Sequence, residues 1–97
     1  MALNEKYKKE LIKIIHQHLP NATVYLFGSR AIDKETVGSD IDIALDAGKL
    51  IDPDILTKIE LDFDETTIPM KMDLVDLHRA QKELKNDILR EGIKWTS

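Results

Sequence analysis

"GSRAIDKETVGSDIDIAL", residues 28–45, is the stretch from which the fold follows: a Gly-Ser pair, ten intervening residues, then two aspartates around one isoleucine. From Ser39 to Leu45 the residues alternate, with Asp40, Asp42 and Ala44 on one side and Ile41, Ile43 and Leu45 on the other. A period of two is that of a strand, so the pattern predicts one apolar face and one acidic face. Burying unpaired charge is costly. Helices are therefore expected on the isoleucine face, leaving the aspartate face open to solvent or ligand.

The flanks supply the remaining elements. Immediately upstream, "TVYLF" (23–27) is a β-branched and aromatic run that leads straight into Gly28-Ser29. Before it, Leu3, Tyr7, Leu11, Ile14, Ile15, His18 and Leu19 recur at three- and four-residue spacing, which predicts an amphipathic helix from about Leu3 to Leu19 ended by Pro20-Asn21. Downstream, Asp52-Pro53 reads as an N-cap followed by proline at the first helical position, with Ile55, Leu56, Ile59 and Phe63 as the apolar stripe. "MKMDLVDL" (70–77) predicts a third strand, with Lys71, Asp73 and Val75 on one face and Met72, Leu74 and Asp76 on the other. A last helix is expected over Ala80 to Glu91, with Leu84 and Ile88 inward and Gly92 as its C-terminal cap, and "IKWTS" (93–97) adds a few extended residues. The order α-β-loop-β-α-β-α predicts an α/β sandwich with its helices on one face of the sheet.

Composition bounds the function. The 97 residues are expected to form a single domain, and 42% hydrophobic content suffices for its core. Without cysteine, thiol catalysis, disulfides and cysteine zinc sites are excluded. The opening "MALNEKYKKELIKII" holds no continuous apolar run, so neither a signal peptide nor a membrane association is expected, and a cytoplasmic location is. Eighteen acidic residues against fourteen basic ones, a formal charge of −4, argue against direct binding of nucleic acid, which depends on phosphate neutralisation. A metal-complexed nucleotide remains compatible, because the metal supplies positive charge.

Three features converge on the acidic face: Gly28-Ser29 after the first strand, Asp40 and Asp42 on the second, and Asp73 on the third. Aspartates at i and i+2 on a strand point the same way, about 7 Å apart. An all-oxygen cluster suits Mg²⁺ or Mn²⁺, and three carboxylates can bridge two such ions for in-line phosphoryl displacement. Glycine admits close approach of backbone to phosphate, and the serine hydroxyl and turn N–H groups donate to it, with Arg30 and Lys71 as nearby cations.

Together these residues resemble the DNA polymerase β-like nucleotidyltransferase superfamily, whose signature is G-S, ten residues, then D-x-D. "IPMKMDLVDL" (68–77) and "ILREGIKW" (88–95) are similar to the minimal nucleotidyltransferase (MNT) domains within it, so the resemblance runs from about Val24 to Trp95. It implies the polymerase β-like fold, a small mixed sheet with helices mainly on one face. It also implies that Asp40 and Asp42 bind two Mg²⁺ ions, that Asp73 completes the catalytic ion and assists deprotonation of the attacking hydroxyl, and that Gly28 and Ser29 hold the phosphates of ATP. The implied reaction is transfer of AMP to an acceptor hydroxyl with release of pyrophosphate. The implied partner is a small helical HEPN-type or substrate-binding protein, with the transferase as antitoxin in the toxin pairs, where it modifies a tyrosine. The turn departs from the family's frequent G-S-R-A-R-G by ending in Ala31-Ile32-Asp33. With no room for a helical acceptor-binding domain, the acceptor is expected to bind in trans. The alternative is a catalytically silent module that neutralises a helical partner by contact alone.

Several residues have plainer expectations. His16, His18 and His78 lack metal-ligand spacing and are expected at surfaces or helix edges. Asp76, on the opposite face from Asp73, is expected to end its strand or cap the next helix, and Asp62, Asp64 and Glu65 to form a solvated helix end. Trp95 is compatible with packing or with a partner contact.

Overall fold

Asn4 opens the first helix, α1 (Glu5–His18), its side-chain carbonyl accepting from the Lys6 backbone N–H at 2.8 Å. The computed structural model describes residues 4–34, 36 and 38–96, so the expected helical position of Leu3 lies outside the described residues. Leu11 and Ile15 are fully buried, and Tyr7, Ile14 and Leu19 pack beside them. The chain then forms β1 (Thr23–Phe27), a single 3₁₀ turn over Gly28–Arg30, β2 (Ile41–Asp46), α2 (Pro53–Asp64), β3 (Met72–Asp76), α3 (Lys82–Glu91) and the two-residue β4 (Ile93–Lys94). Asp52 caps α2 through its carboxylate to the Asp54 N–H at 2.9 Å, with Pro53 at the first helical position as read.

The strand order is β3-β2-β1-β4. β1 is antiparallel to both β2 and β4, whereas β2 and β3 are parallel, joined by α2. A parallel pair needs such a crossover, so α2 must lie on one face of the sheet. It packs with α1 over Val24, Leu26, Ile41, Ile43 and Leu45, with Ile59 and Phe63 reaching in from α2. That is the isoleucine face, covered as its alternation predicts. Trp95 joins this core at its edge, its backbone N–H donating to the Val24 carbonyl at 2.7 Å and its ring centroid lying 6.0 Å from Lys8 Nζ.

The third helix departs from the expectation of a single covered face. Ile88 of α3 packs with Ala44 and Leu77 against Tyr25 and Phe27, on the same face as the aspartates. The reason is topological. β3 and β4 are opposite edges of the sheet, so the chain after β3 must cross β2 and β1 before it can pair beside β1. The small Ala44 and the aromatic pair Tyr25 and Phe27 give it an apolar track. Gly92 ends the helix with its N–H on the Ile88 carbonyl at 2.8 Å, but its φ is −69°. Close approach, not a left-handed backbone, requires glycine there: a Cβ would collide with the Ile88 carbonyl oxygen and stand 3.3 Å from that of Leu26.

Candidate active site

The parallel register of β2 and β3 sets Asp42 directly beside Asp73. Both project from the face opposite the main core, since Ile41, Ile43, Met72 and Leu74 occupy the other side. Asp42 is partly buried, and its carboxyl is pushed up to about 6, first by burial, then by the charges of Asp73 and Asp40, and by a hydrogen bond with Asp73. β2 begins at Ile41, so Asp40 stands just ahead of the strand and exposed, rather than within it as the alternation implied. It acts on Asp42 through charge. Among the described residues, no three histidine, aspartate or glutamate side chains converge closely enough to hold a metal ion together. Asp42 and Asp73 nonetheless fit a hard dication: both offer oxygen ligands side by side, and such an ion would offset the burial and the neighbouring charge that together raise the Asp42 carboxyl.

Gly28 closes the site from β1. Phe27 pairs with Asp42 across the β1–β2 ladder, so the turn that follows lies against that carboxylate. Gly28 has φ +76°, and a Cβ there would run into Asp42 Oδ2 and lie 3.1 Å from Cγ. Glycine is required twice over, by backbone conformation and by the passing carboxylate. Ser29 is half-exposed in the same turn, and its backbone carbonyl accepts from the Lys34 N–H at 2.9 Å. Lys71, just before β3, extends its largely exposed side chain to 3.7 Å from Asp73 Oδ1, while its carbonyl receives the Ile41 N–H at 2.8 Å.

Arg30 is placed differently from its expected role beside a phosphate. Its side chain is turned inward with only 9% exposure, and Nε and Nη2 donate to the Ser39 carbonyl at 3.1 and 2.9 Å. Ser39 precedes Asp40, and its hydroxyl accepts from the Thr36 N–H at 2.8 Å. Arg30 thus ties the far end of the loop to the turn that starts it. A buried guanidinium must satisfy its donors, and a backbone carbonyl at the mouth of β2 serves that need. Nothing in a single sequence separates that inward contact from an outward one.

Asp76 also does more than end a strand. It is 4% exposed, accepts from the Ile51 N–H at 2.9 Å and the His78 N–H at 3.0 Å, and pairs with Arg79 Nη1 at 3.2 Å. Arg79 completes the lock by donating to the Ile51 carbonyl at 2.6 Å. The i,i+3 spacing of Asp76 and Arg79 was the available signal. Of the histidines, His78 meets Asp46 at 2.7 Å and His18 meets Asp62 at 2.7 Å, so the acidic end of α2 is partly engaged rather than wholly solvated. His16 contacts the Ala22 carbonyl at 3.1 Å.

The chain belongs to the polymerase β nucleotidyltransferase family, whose model matches residues 9–96. It is similar to a probable protein adenylyltransferase MntA of Haemophilus influenzae, 30% identical over 78 residues that make up 80% of this chain and 68% of the relative. Among solved structures it resembles a chain of a toxin–antitoxin complex crystallised with AMP-PNP, with TM-score 0.80, 26% identity, and coverage of 93% of this chain and 73% of that one. It also resembles a chain from a complex of a tri-AMPylated Shewanella oneidensis HEPN toxin with an MNT antitoxin, with TM-score 0.69, 25% identity, and coverage of 100% and 73%.

Proposed function

We propose that this chain transfers AMP from ATP to a hydroxyl of a partner protein, releasing pyrophosphate, and that its partner is a small helical HEPN-type protein for which it serves as antitoxin. The observation that carries the reading is the juxtaposition of Asp42 with Asp73 beside the Gly28 turn. The probable adenylyltransferase relative and the AMPylated HEPN complex among similar structures support the choice of AMP and of partner.

In this reading Asp42 and Asp73 would hold Mg²⁺, for which Mn²⁺ can substitute, and Asp40 would have to turn in from the start of β2 to join them in holding two ions. Bound there, the ions supply charge stabilisation for both the attacking and the leaving oxygen. Gly28 and Ser29 receive the phosphates of ATP, with the exposed Lys71 as the cation nearby. Asp73, at the exposed end of the site, accepts the proton of the acceptor hydroxyl. The new bond joins that oxygen to the α-phosphorus, and the bond from the α-phosphorus to the bridging oxygen breaks as pyrophosphate leaves. Arg30 acts through Ser39 and Asp40 rather than by touching phosphate.

The test is label transfer. With Mg²⁺ and α-labelled ATP, a co-expressed HEPN-type neighbour should become labelled on a tyrosine by the wild type and remain unlabelled with Asp42→Asn, while both forms retain the complex. A stable complex that never takes label, under any metal or nucleotide, would replace this reading with neutralisation by contact alone.

A further inference from the structure

The two helices that cover the isoleucine core turn opposite charges to solvent. On α1, Lys6, Lys9 and Lys13 are exposed, at spacings of three and four residues that set them on one stripe. On α2, Asp54, Leu61, Asp64 and Glu65 are exposed together with Lys58, and Leu61, at 59%, is the most exposed large apolar side chain among the described residues. Among the described residues, neither those three lysines nor those three acids take part in an ion pair. We infer that this two-helix surface binds a second copy of the chain, with α1 of each copy lying on α2 of the other. The inference stands apart from the transfer reading, because it uses the side of the sheet opposite Asp42 and Asp73.

Symmetry, charge and apolar surface each point to this occupant. α1 and α2 pack against each other over one core. A two-fold axis passing between them sets α1 of one copy over α2 of the other, and the same operation repeats the contact. An axis crossing both helices would instead set lysine on lysine, which like-charge repulsion disfavours. At the helical rise per residue, Lys6 to Lys13 covers about 10 Å and Asp54 to Asp64 about 15 Å, so the two stripes overlap along their length. Lysine stems cover apolar surface while their charged heads stay at its edge. The α1 stripe therefore meets both features of α2 at once, its stems over Leu61 and its heads at Asp64 and Glu65. Any other partner would need a basic and an acidic helix side by side in matching order. This chain itself supplies that pair.

Two helices offer a small interface, so the association is a transient one. The formal charge of −4 opposes it, and lowering the salt strengthens that repulsion. A dimer that tightens as salt is lowered must therefore owe its stability to local pairing. Both aspartate faces point away from the contact and stay open.

The experiment is sedimentation equilibrium of the full chain from micromolar to sub-millimolar concentration, at low and at high salt. The wild type should dimerise reversibly at low salt and dissociate at high salt. Lys9→Glu with Lys13→Glu should weaken the dimer at least about ten-fold, and so should Asp64→Lys with Glu65→Lys. Mixed in equal amounts, the two variants should dimerise as the wild type does, because each reversed α1 then meets a reversed α2 and the unreversed pair is kept. That rescue excludes misfolding as the cause of either loss. A wild type that stays monomeric at low salt overturns the inference, as does a dimer that high salt or the reversals leave intact, or a mixture of variants that fails to pair. A monomer whose α1 lysines are needed to bind a different helical protein gives the surface to that protein and overturns self-association likewise.

Discussion

Asp73 and Asp76 sit three residues apart on one strand and face opposite sides of the sheet. Asp73 faces Asp42 on the open side, whereas Asp76 is buried and holds Ile51, His78 and Arg79 in place. Asp73→Asn should therefore abolish transfer while leaving the thermal midpoint close to wild type. Asp76→Asn keeps the shape but exchanges an acceptor oxygen for an amide donor facing N–H groups, and should cost about 1–3 kcal/mol of stability. Thermal melts beside transfer assays separate the two, and loss of activity without loss of stability in Asp76→Asn would reverse the assignment of faces. Asp42 gives a second expectation. Its carboxyl is raised from 3.8 to about 6 by burial and by Asp73 and Asp40, so the folded chain binds this proton more tightly than the unfolded one. Without metal, the stability owed to this group is intact below about pH 4 and is lost as pH rises through about 6. Asp42→Asn cannot ionise, so its thermal midpoint relative to wild type should climb between those pH values and then level off. Paired metal-free melts across that range measure it, and a pH-independent difference would show that Asp42 does not titrate there.

At the scale of elements, the loop between the 3₁₀ turn and β2 is where the sequence was least legible. Strands β1 and β3, the cap of α2 and the isoleucine face follow from periodicity and from Asp52-Pro53, because those signals are local. The face chosen by α3 is not local: it depends on β4 pairing beside β1, which a two-residue strand does not advertise. Arg30 is a similar case, since its contact with Ser39 spans nine positions without any periodic signature. The clamp predicts a separation of kinetic constants. Arg30→Lys retains the charge but not the two-donor fork, so Ser39 and the adjoining Asp40 lose their fixed position. Turnover should fall about ten-fold or more, as displacement of a reacting group by about 1 Å commonly costs, while the KM for ATP changes less than about two-fold. A raised KM with unchanged turnover would instead mean that Arg30 reaches phosphate.

For the whole molecule, the fold places its most repulsive feature, the carboxylates of the open face, apart from the core that holds the chain together. The isoleucine face, α1 and α2 form that core without help from Asp42 or Asp73. Neutralising the carboxylates should thus leave the fold standing, and a ligand that binds only the assembled site should strengthen it by mass action. At about 100 times its dissociation constant such a ligand adds roughly 2.7 kcal/mol. For a domain of this size each kcal/mol raises the thermal midpoint by about 4–8 °C, so the expected gain is on the order of 10 °C. Melts with millimolar Mg²⁺ and a non-hydrolysable ATP analogue should show that rise in the wild type. Asp42→Asn combined with Asp73→Asn should remain folded and show none, because the site is gone while the isoleucine core persists. An undiminished rise in the double variant would move the metal–nucleotide site off this face, and with it every role assigned to the aspartates.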